Sequence, residues 1–334
     1  MNNYNHFGEL LEELRIKHHM TQAEVAEGIC TLRQYSRLEK GESTPRIDIL
    51  YGLSAKYNIN LYSYYNIHFS YQSFESYQLI QEMRKCLDLC NLSDLTKIME
   101  AMDDNSEFHS GENYKNKCYV HALVDFFNEE YDSSIENCLK GLDLNNRDDI
   151  LTLSPTTIYT NIEFILINCL GCTLEKQGAT EYSAFCYQLL IDGVDYQLDS
   201  VIFSTIKDSK QIIKIYEVAI LNLSQMYYDK QQYEQSVNYA TKGINFSVQH
   251  DYVIILPLYL VRKAYGLIPL KRYEEAKRVT KQAISLYEIQ CDFFHSNETD
   301  SYKSTAEQAR QTIKQFTDLL DLIEQKKNEE ASEK

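Results

Sequence analysis

Apolar positions near the start of the chain recur at helical spacing. Phe7, Leu10, Leu11 and Leu14 predict an amphipathic helix over residues 7–18. Thr21, with Glu24 three residues on, forms a capping box that opens a second helix running to about Gly28. Thr31 can cap a third helix, Leu32–Lys40, closed by Gly41. Pro45 opens a fourth over about 46–57, with Ile47, Leu50, Leu53 and Ala55 expected to face inward. Two short helices joined by a tight turn, within a five-helix unit, predict a helix-turn-helix.

The rest of the chain keeps a helical period. Phe74, Tyr77, Ile80, Met83 and Leu87, then Leu92, Leu95, Ile98 and Met99, suggest a helix pair over about 74–103. Four later windows resemble degenerate tetratricopeptide units, with small residues where two helices would cross. They are Ala122…Ser134…Gly141, Gly171…Ser183…Tyr187, Leu223-Ser224…Ser236…Gly243 and Ala264…Ala276…Ala283. Ser134, Ser183, Ser236 and Ala276 are 49, 53 and 40 residues apart, against an ideal of about 34. Residues 302–326 predict a polar-faced capping helix. The expected class is all-α: a five-helix N-terminal head followed by a right-handed α-solenoid of tetratricopeptide type. The boundaries are 1–65 for the head, 66–73 for a linker, 74–326 for the repeats, and 327–334 for a disordered tail. The segment 58–73 has no Pro or Gly and is expected to be ordered, as a short helix and a linker helix.

Composition supports this class. Glycine supplies only 11 of 334 residues and proline 4, which disfavours folds built on many tight turns. No apolar run is long enough to cross a membrane, and the first residues show no secretory pattern. Nine cysteines without an export signal read as reduced thiols in a cytoplasmic protein. The net charge of −16 disfavours nucleic-acid binding by the chain as a whole. Residues 1–70, however, carry seven Lys/Arg against eight Asp/Glu, so the head escapes that argument if its cations share a face.

Leu32, Arg33, Gln34 and Arg37 lie toward the N-terminal part of the third helix, which would enter the major groove. Arginine suits guanine and glutamine suits adenine by bidentate geometry. Thr21 and Gln22, at the start of the second helix, are placed to meet a phosphate, and Thr31 is a further DNA candidate. In the repeats, the first helix of each pair would line a concave wall suited to an extended peptide. Asparagine can pair with both groups of a peptide bond, which singles out Asn168 and Asn222. Arg262, Lys263, Gln225, Tyr228 and Tyr265 are the other peptide candidates, with Tyr119 a further one on an earlier helix.

The stretch Thr21-Gln22-Ala23-Glu24-Val25-Ala26…Ser36-Arg37-Leu38-Glu39-Lys40-Gly41…Pro45 resembles the phage-repressor (Xre-type) DNA-binding domain. Its inter-helix turn is one residue shorter than the commonest form. In that family an acidic residue at the Glu39 position pairs with an arginine on the first helix, which implies an Arg15–Glu39 pair here. An Xre-type head followed by degenerate repeats resembles the peptide-pheromone regulators of Gram-positive bacteria, the Rgg/Rap/NprR/PlcR/PrgX group. The layout is nearest to the PlcR branch, whose motif is echoed by EGICTLRQYSRLEKGESTPRIDIL, residues 27–50. The resemblance implies a homodimer on a palindromic double-stranded operator. It also implies a short signalling peptide in the groove, with Asn168 and Asn222 at peptide-binding positions.

No nucleotide-binding, hydrolase or zinc-protease motif occurs, so an enzyme is not expected, nor a metal or other cofactor. Cys169-x-x-Cys172 falls mid-helix among apolar residues and reads as packing. Two alternatives stand beside the leading reading: repeats that dock a protein partner, and a Rap-like phosphatase or phosphotransfer modulator. The intact Xre motif disfavours the second.

Overall fold

The computed structural model describes residues 4–59, 61, 65, 74–88, 91–199, 210–250, 252–295 and 302–332, and among them every regular element is a helix. They form two compact units, Met1–Asp143 and Leu144–Lys334.

The first unit begins with α1 (Tyr4–Lys17), α2 (Gln22–Ala26), α3 (Leu32–Glu39) and α4 (Ile47–Tyr57). They close over one core that contains Phe7, Leu11, Val25, Tyr35, Leu38 and Leu53. Helices α1 and α3 approach so closely that a Cβ on Gly8 would lie 2.3 Å from the Glu39 carbonyl oxygen. On α4 the inward stripe is Ile49, Leu50, Leu53 and Tyr57, whereas Ile47 and Ala55 are exposed, contrary to the expected set. At 100° per residue, Ala55 falls on the far side of the helix from the stripe centred on Leu50 and Leu53. The expected fifth helix lies mostly outside the described residues. Leu61 is nevertheless buried in this core, and the Tyr65 ring meets Phe7 edge-on at 5.1 Å. The linker 66–73 lies outside the described residues.

The same unit continues with α5 (Phe74–Asp88), α6 (Leu92–Asp104), α7 (Gly111–Phe127) and α8 (Tyr131–Gly141). A one-turn 3-10 helix, Ser106–His109, seats the fully buried Phe108 among Ile80, Met83, Leu95 and Met102.

The second unit comprises α9 (Asn161–Lys176), α10 (Thr180–Asp199), α11 (Lys210–Asp229), α12 (Tyr233–Gln249), α13 (Leu256–Leu267), α14 (Tyr273–His295) and α15 (Tyr302–Ser332). Consecutive helices pair as hairpins, and α9, α11 and α13 run side by side as the first members of three of them. Helix α15 extends through 327–332, so this stretch is not the disordered tail that its composition suggested. Ion pairs to α14 and to the loop before it hold the extension: Lys327 with Glu274, and Glu330 with Lys271 at 3.3 Å.

One local design repeats in the hairpins α7/α8, α9/α10, α11/α12 and α13/α14. Each first helix ends in the left-handed region, at Glu129 (φ 64°), Gly178 (φ 83°), Gln231 (φ 60°) and Lys271 (φ 59°). The next N–H turns back to the carbonyl five residues earlier: Glu130 to Asp125, Ala179 to Leu174, Gln232 to Tyr227 (each 2.8 Å), and Arg272 to Leu267 (3.0 Å). This is the Schellman closure of a helix C-terminus. It fixes where the second helix starts, and therefore which residues cross. The crossing pairs are Ala122/Ser134, Gly171/Ser183, Ser224/Ser236 and Ala264/Ala276. The Ser134 hydroxyl donates to the Ala122 carbonyl (2.7 Å), and Ser183 to Gly171 (2.8 Å). In the third hairpin the direction reverses, Ser224 donating to Ser236 (2.7 Å). The unequal 49, 53 and 40 spacings therefore arise between hairpins, while each hairpin keeps one internal register.

Candidate functional sites

The head presents α3 on a rigid base. Both α2 and α3 start with capping boxes: Thr21 with Glu24, and Thr31 with Gln34. Gly28 (φ 76°) makes the turn between them, a conformation that L side chains rarely adopt. At the other end of α3, Gly41 (φ 66°) lets the Glu42 N–H reach the Arg37 carbonyl at 2.8 Å. From the buried side of α3, the Tyr35 hydroxyl lies 3.3 Å from the Leu11 carbonyl and 3.1 Å from the Tyr57 hydroxyl, and burial pushes its pKa up strongly. The Arg15 Nε donates to Glu39 Oε1 at 2.7 Å, the pair the family resemblance implied. That bond raises the arginine pKa, and Glu39 is nearly buried.

This framework shows what each head residue is free to do. Arg33 is exposed and has no partner among the described residues. Arg37 is half exposed and only loosely tied to Glu42, at 3.9 Å. Gln34 is exposed, but its side-chain oxygen accepts from the Thr31 N–H and hydroxyl (both 3.0 Å), so only its amino group can address a base. Thr31 and Thr21 act as helix caps with their hydroxyl oxygens. Gln22 donates one N–H of its amide to Glu39, and the second N–H of that group remains a donor. The Thr-x-x-Gln pattern at 31–34 was a visible signal of this capping role.

The peptide candidates occupy the first helices of the second-unit hairpins. Asn168 on α9 has a buried side-chain oxygen with no hydrogen-bond partner. Asn222 on α11 donates its amide to the Tyr187 hydroxyl at 3.1 Å, and that hydroxyl donates to Glu175 at 2.8 Å. Gln225 donates to Asp229 at 2.5 Å. Tyr228 and Tyr265 come together edge to face at 6.4 Å, and Tyr228 also meets Tyr233 at 5.5 Å. Burial raises the Tyr228 pKa. Arg262 has a buried Nε without a partner, and desolvation lowers its pKa. Lys263 pairs with Glu275 on α14 at 3.4 Å. Tyr119, on α7 of the first unit, packs beside the Ile80–Phe108 core.

Two other features bear on chemistry. Burial pushes the Cys172 thiol up to about 11, and Cys186 rises too, the reverse of what a reactive thiolate requires. Between α10 and α12 lies an open cleft of about 570 Å³, lined by Asp195, Tyr216 and Lys242, that the sequence did not suggest. Both Lys242 and Tyr216 bond Asp195 at 2.5 Å. No helix among the described residues is long and apolar enough to cross a membrane.

Together the elements define a helix-turn-helix protein that carries tetratricopeptide-like helical hairpins. Residues 11–63 match a helix-turn-helix family, and residues 136–305 match the C-terminal domain of the RNPP family. The chain belongs to the RNPP family, the peptide-responsive regulator group that its sequence resembles. Bacillus thuringiensis PlcR, solved in complex with the peptide PapR7 and DNA, superposes with a TM-score of 0.64 at 16% identity. The match covers 86% of this chain and 95% of that one. Streptococcus dysgalactiae Rgg2, an SHP pheromone receptor, gives 0.56 at 16% identity over 92% and 99%. Apo PlcR gives 0.53 at 15% over 86% and 94%. At these identities the likeness is one of fold. No curated protein sequence matches the chain.

Proposed function

We propose that the chain is a cytoplasmic transcription regulator whose 1–65 head reads a palindromic operator as a homodimer, and whose repeats sense a short signalling peptide. The observation that carries this reading is the contrast around α3. The polar groups at its base are tied down by Glu39, Thr31 and Tyr35, while Arg33 extends free from its first turn. An arginine so placed can make a bidentate bond to a guanine edge. PlcR, of the same fold, was solved with both a peptide and DNA. Asn168, Asn222, Tyr228, Arg262 and Tyr265 supply the peptide wall, and Arg37 and the Gln34 amino group assist Arg33.

Selection of the full-length protein against random duplexes of about 30 base pairs tests the first half. Two half-sites about one helical turn or a multiple apart are expected. Arg33→Ala is expected to lower affinity for the selected site by about 1–3 kcal/mol without moving the unfolding temperature. Unchanged affinity and salt dependence would remove α3 from the groove. For the second half, Asn168→Ala with Asn222→Ala is expected to abolish the response of DNA binding to whichever synthetic peptide elicits one in the wild type. A normal response in the double variant would move the peptide off this wall.

A further inference from the structure

The half-buried basic residues of the second unit differ in one respect. Lys242 closes on Asp195 at 2.5 Å, Lys263 on Glu275 at 3.4 Å, and Lys277 on Glu324. Arg262 closes on no acidic group among the described residues. Its Nε is buried without an acceptor, and among the described residues its guanidinium has no hydrogen-bond or ion-pair partner. The acidic side chain whose charge it feels most, Asp229, stays outside ion-pair distance and accepts the Gln225 amide instead. The other groups that act on Arg262 are the hydroxyls of Tyr228 and Tyr265, whose rings meet edge to face at 6.4 Å. All of these lie on α11 and α13, the first helices of their hairpins.

An arginine whose Nε is buried without an acceptor has lost that atom's bond to water, and a partner that reaches its fork would complete it. Its planar fork matches a carboxylate through two parallel N–H···O bonds. Two tyrosines beside it supply an apolar surface and further hydroxyl donors. We propose that Arg262, flanked by Tyr228 and Tyr265, is the anchor for a carboxylate of the bound peptide. This inference rests on the reading of the α9/α11/α13 wall as the peptide site. A carboxylate can come from the peptide C-terminus or from an Asp or Glu side chain. The chemistry at Arg262 is the same for both.

The test uses the full-length protein and one synthetic random heptapeptide library, prepared once as free acids and once as C-terminal amides. Retained peptides are identified by mass spectrometry. The wild type is expected to retain carboxylate-bearing peptides at least tenfold over neutral counterparts. Loss of retention in the amide preparation assigns the C-terminus. Enrichment of Asp or Glu at one position in both preparations assigns a side chain. Arg262→Gln is expected to lose the preference, and Arg262→Lys, which keeps the charge without the fork, to keep part of it. Equal retention of neutral and carboxylate-bearing peptides by the wild type overturns the inference, whatever the variants do. So does an unchanged preference in Arg262→Gln. Retention of no peptide overturns it together with the peptide reading itself, whereas retention that ignores the carboxylate overturns this inference alone.

Discussion

The base of α3 and the α9/α11/α13 wall use buried polar groups in opposite ways. In the head, Glu39 takes both Arg15 and Gln22, and Tyr35 reaches Leu11 and Tyr57. The groups left free, Arg33 above all, are already in water. On the wall, Asn168 and Arg262 hold buried polar atoms that nothing among the described residues satisfies. A satisfied base gives a reading helix one fixed aim. An unsatisfied wall costs about 1–3 kcal/mol for each orphaned group, and a ligand that supplies the missing partner recovers that free energy on binding. The comparison separates a head whose polar base is satisfied from a wall whose buried polar atoms are left incomplete.

The largest test of the comparison is at the head. Arg15→Ala leaves Glu39, whose side chain is 4% exposed, with only the Gln22 amide. A loss of about 3 kcal/mol is expected from removing one member of such a pair, read as a lower urea midpoint for the transition that abolishes DNA binding. An unchanged midpoint would mean that apolar packing alone holds α3. Next in size is Gly243→Ala in the repeats. Its Cβ would lie 2.2 Å from the Tyr259 ring, which is anchored by its hydroxyl to the Glu217 carbonyl at 2.6 Å. Overpacking of about 1–3 kcal/mol is expected in thermal unfolding.

The left-handed hairpin positions give a smaller, signed effect. Gly178→Ala meets no atom within 4 Å, so its expected cost of about 1 kcal/mol is purely conformational. Gln231→Gly and Lys271→Gly are expected to stabilise by up to about 1 kcal/mol for the same reason. Differential scanning calorimetry distinguishes the two signs. Smallest is a pH effect at Glu217, whose pKa burial raises and whose carboxyl accepts from Ser247 at 2.8 Å. A raised carboxylate pKa means that the unfolded chain releases its proton first. Stability is therefore lost as pH rises above the ordinary value of about 4.3. Glu217→Gln is expected to be more stable than the wild type at pH 7, with the gap narrowing toward pH 4.5. A gap that widens on acidification would reverse the assignment.

Much of the head was legible because its signals are local. Thr21, Thr31 and Gly41 each act within one turn of their own position, and the Arg15–Glu39 pair followed from resemblance. Gln34 carries a capping role as well, which the threonine three residues before it already marked. On α4, Ala55 was misplaced because a single helical turn tolerates several stripes until the neighbours choose one. In the repeats the small crossing residues were legible, but the turns were not. Three of the four left-handed positions are filled by Glu129, Gln231 and Lys271, where a glycine search finds nothing. The Lys263–Glu275 pair was not legible, because Glu275 becomes a neighbour only once the hairpin has closed.

The helices, the head motif and the small residues at which each hairpin crosses could be read from the amino-acid order alone, since these depend on side chains within a turn or two. Which polar atoms find partners came from the packing of the helices. Packing gave Lys263 a carboxylate and tied Gln22 to Glu39, and among the described residues it left the Arg262 Nε without an acceptor. The reason is that pairing and desolvation depend on which helices come together, and residues far apart in the chain set that together.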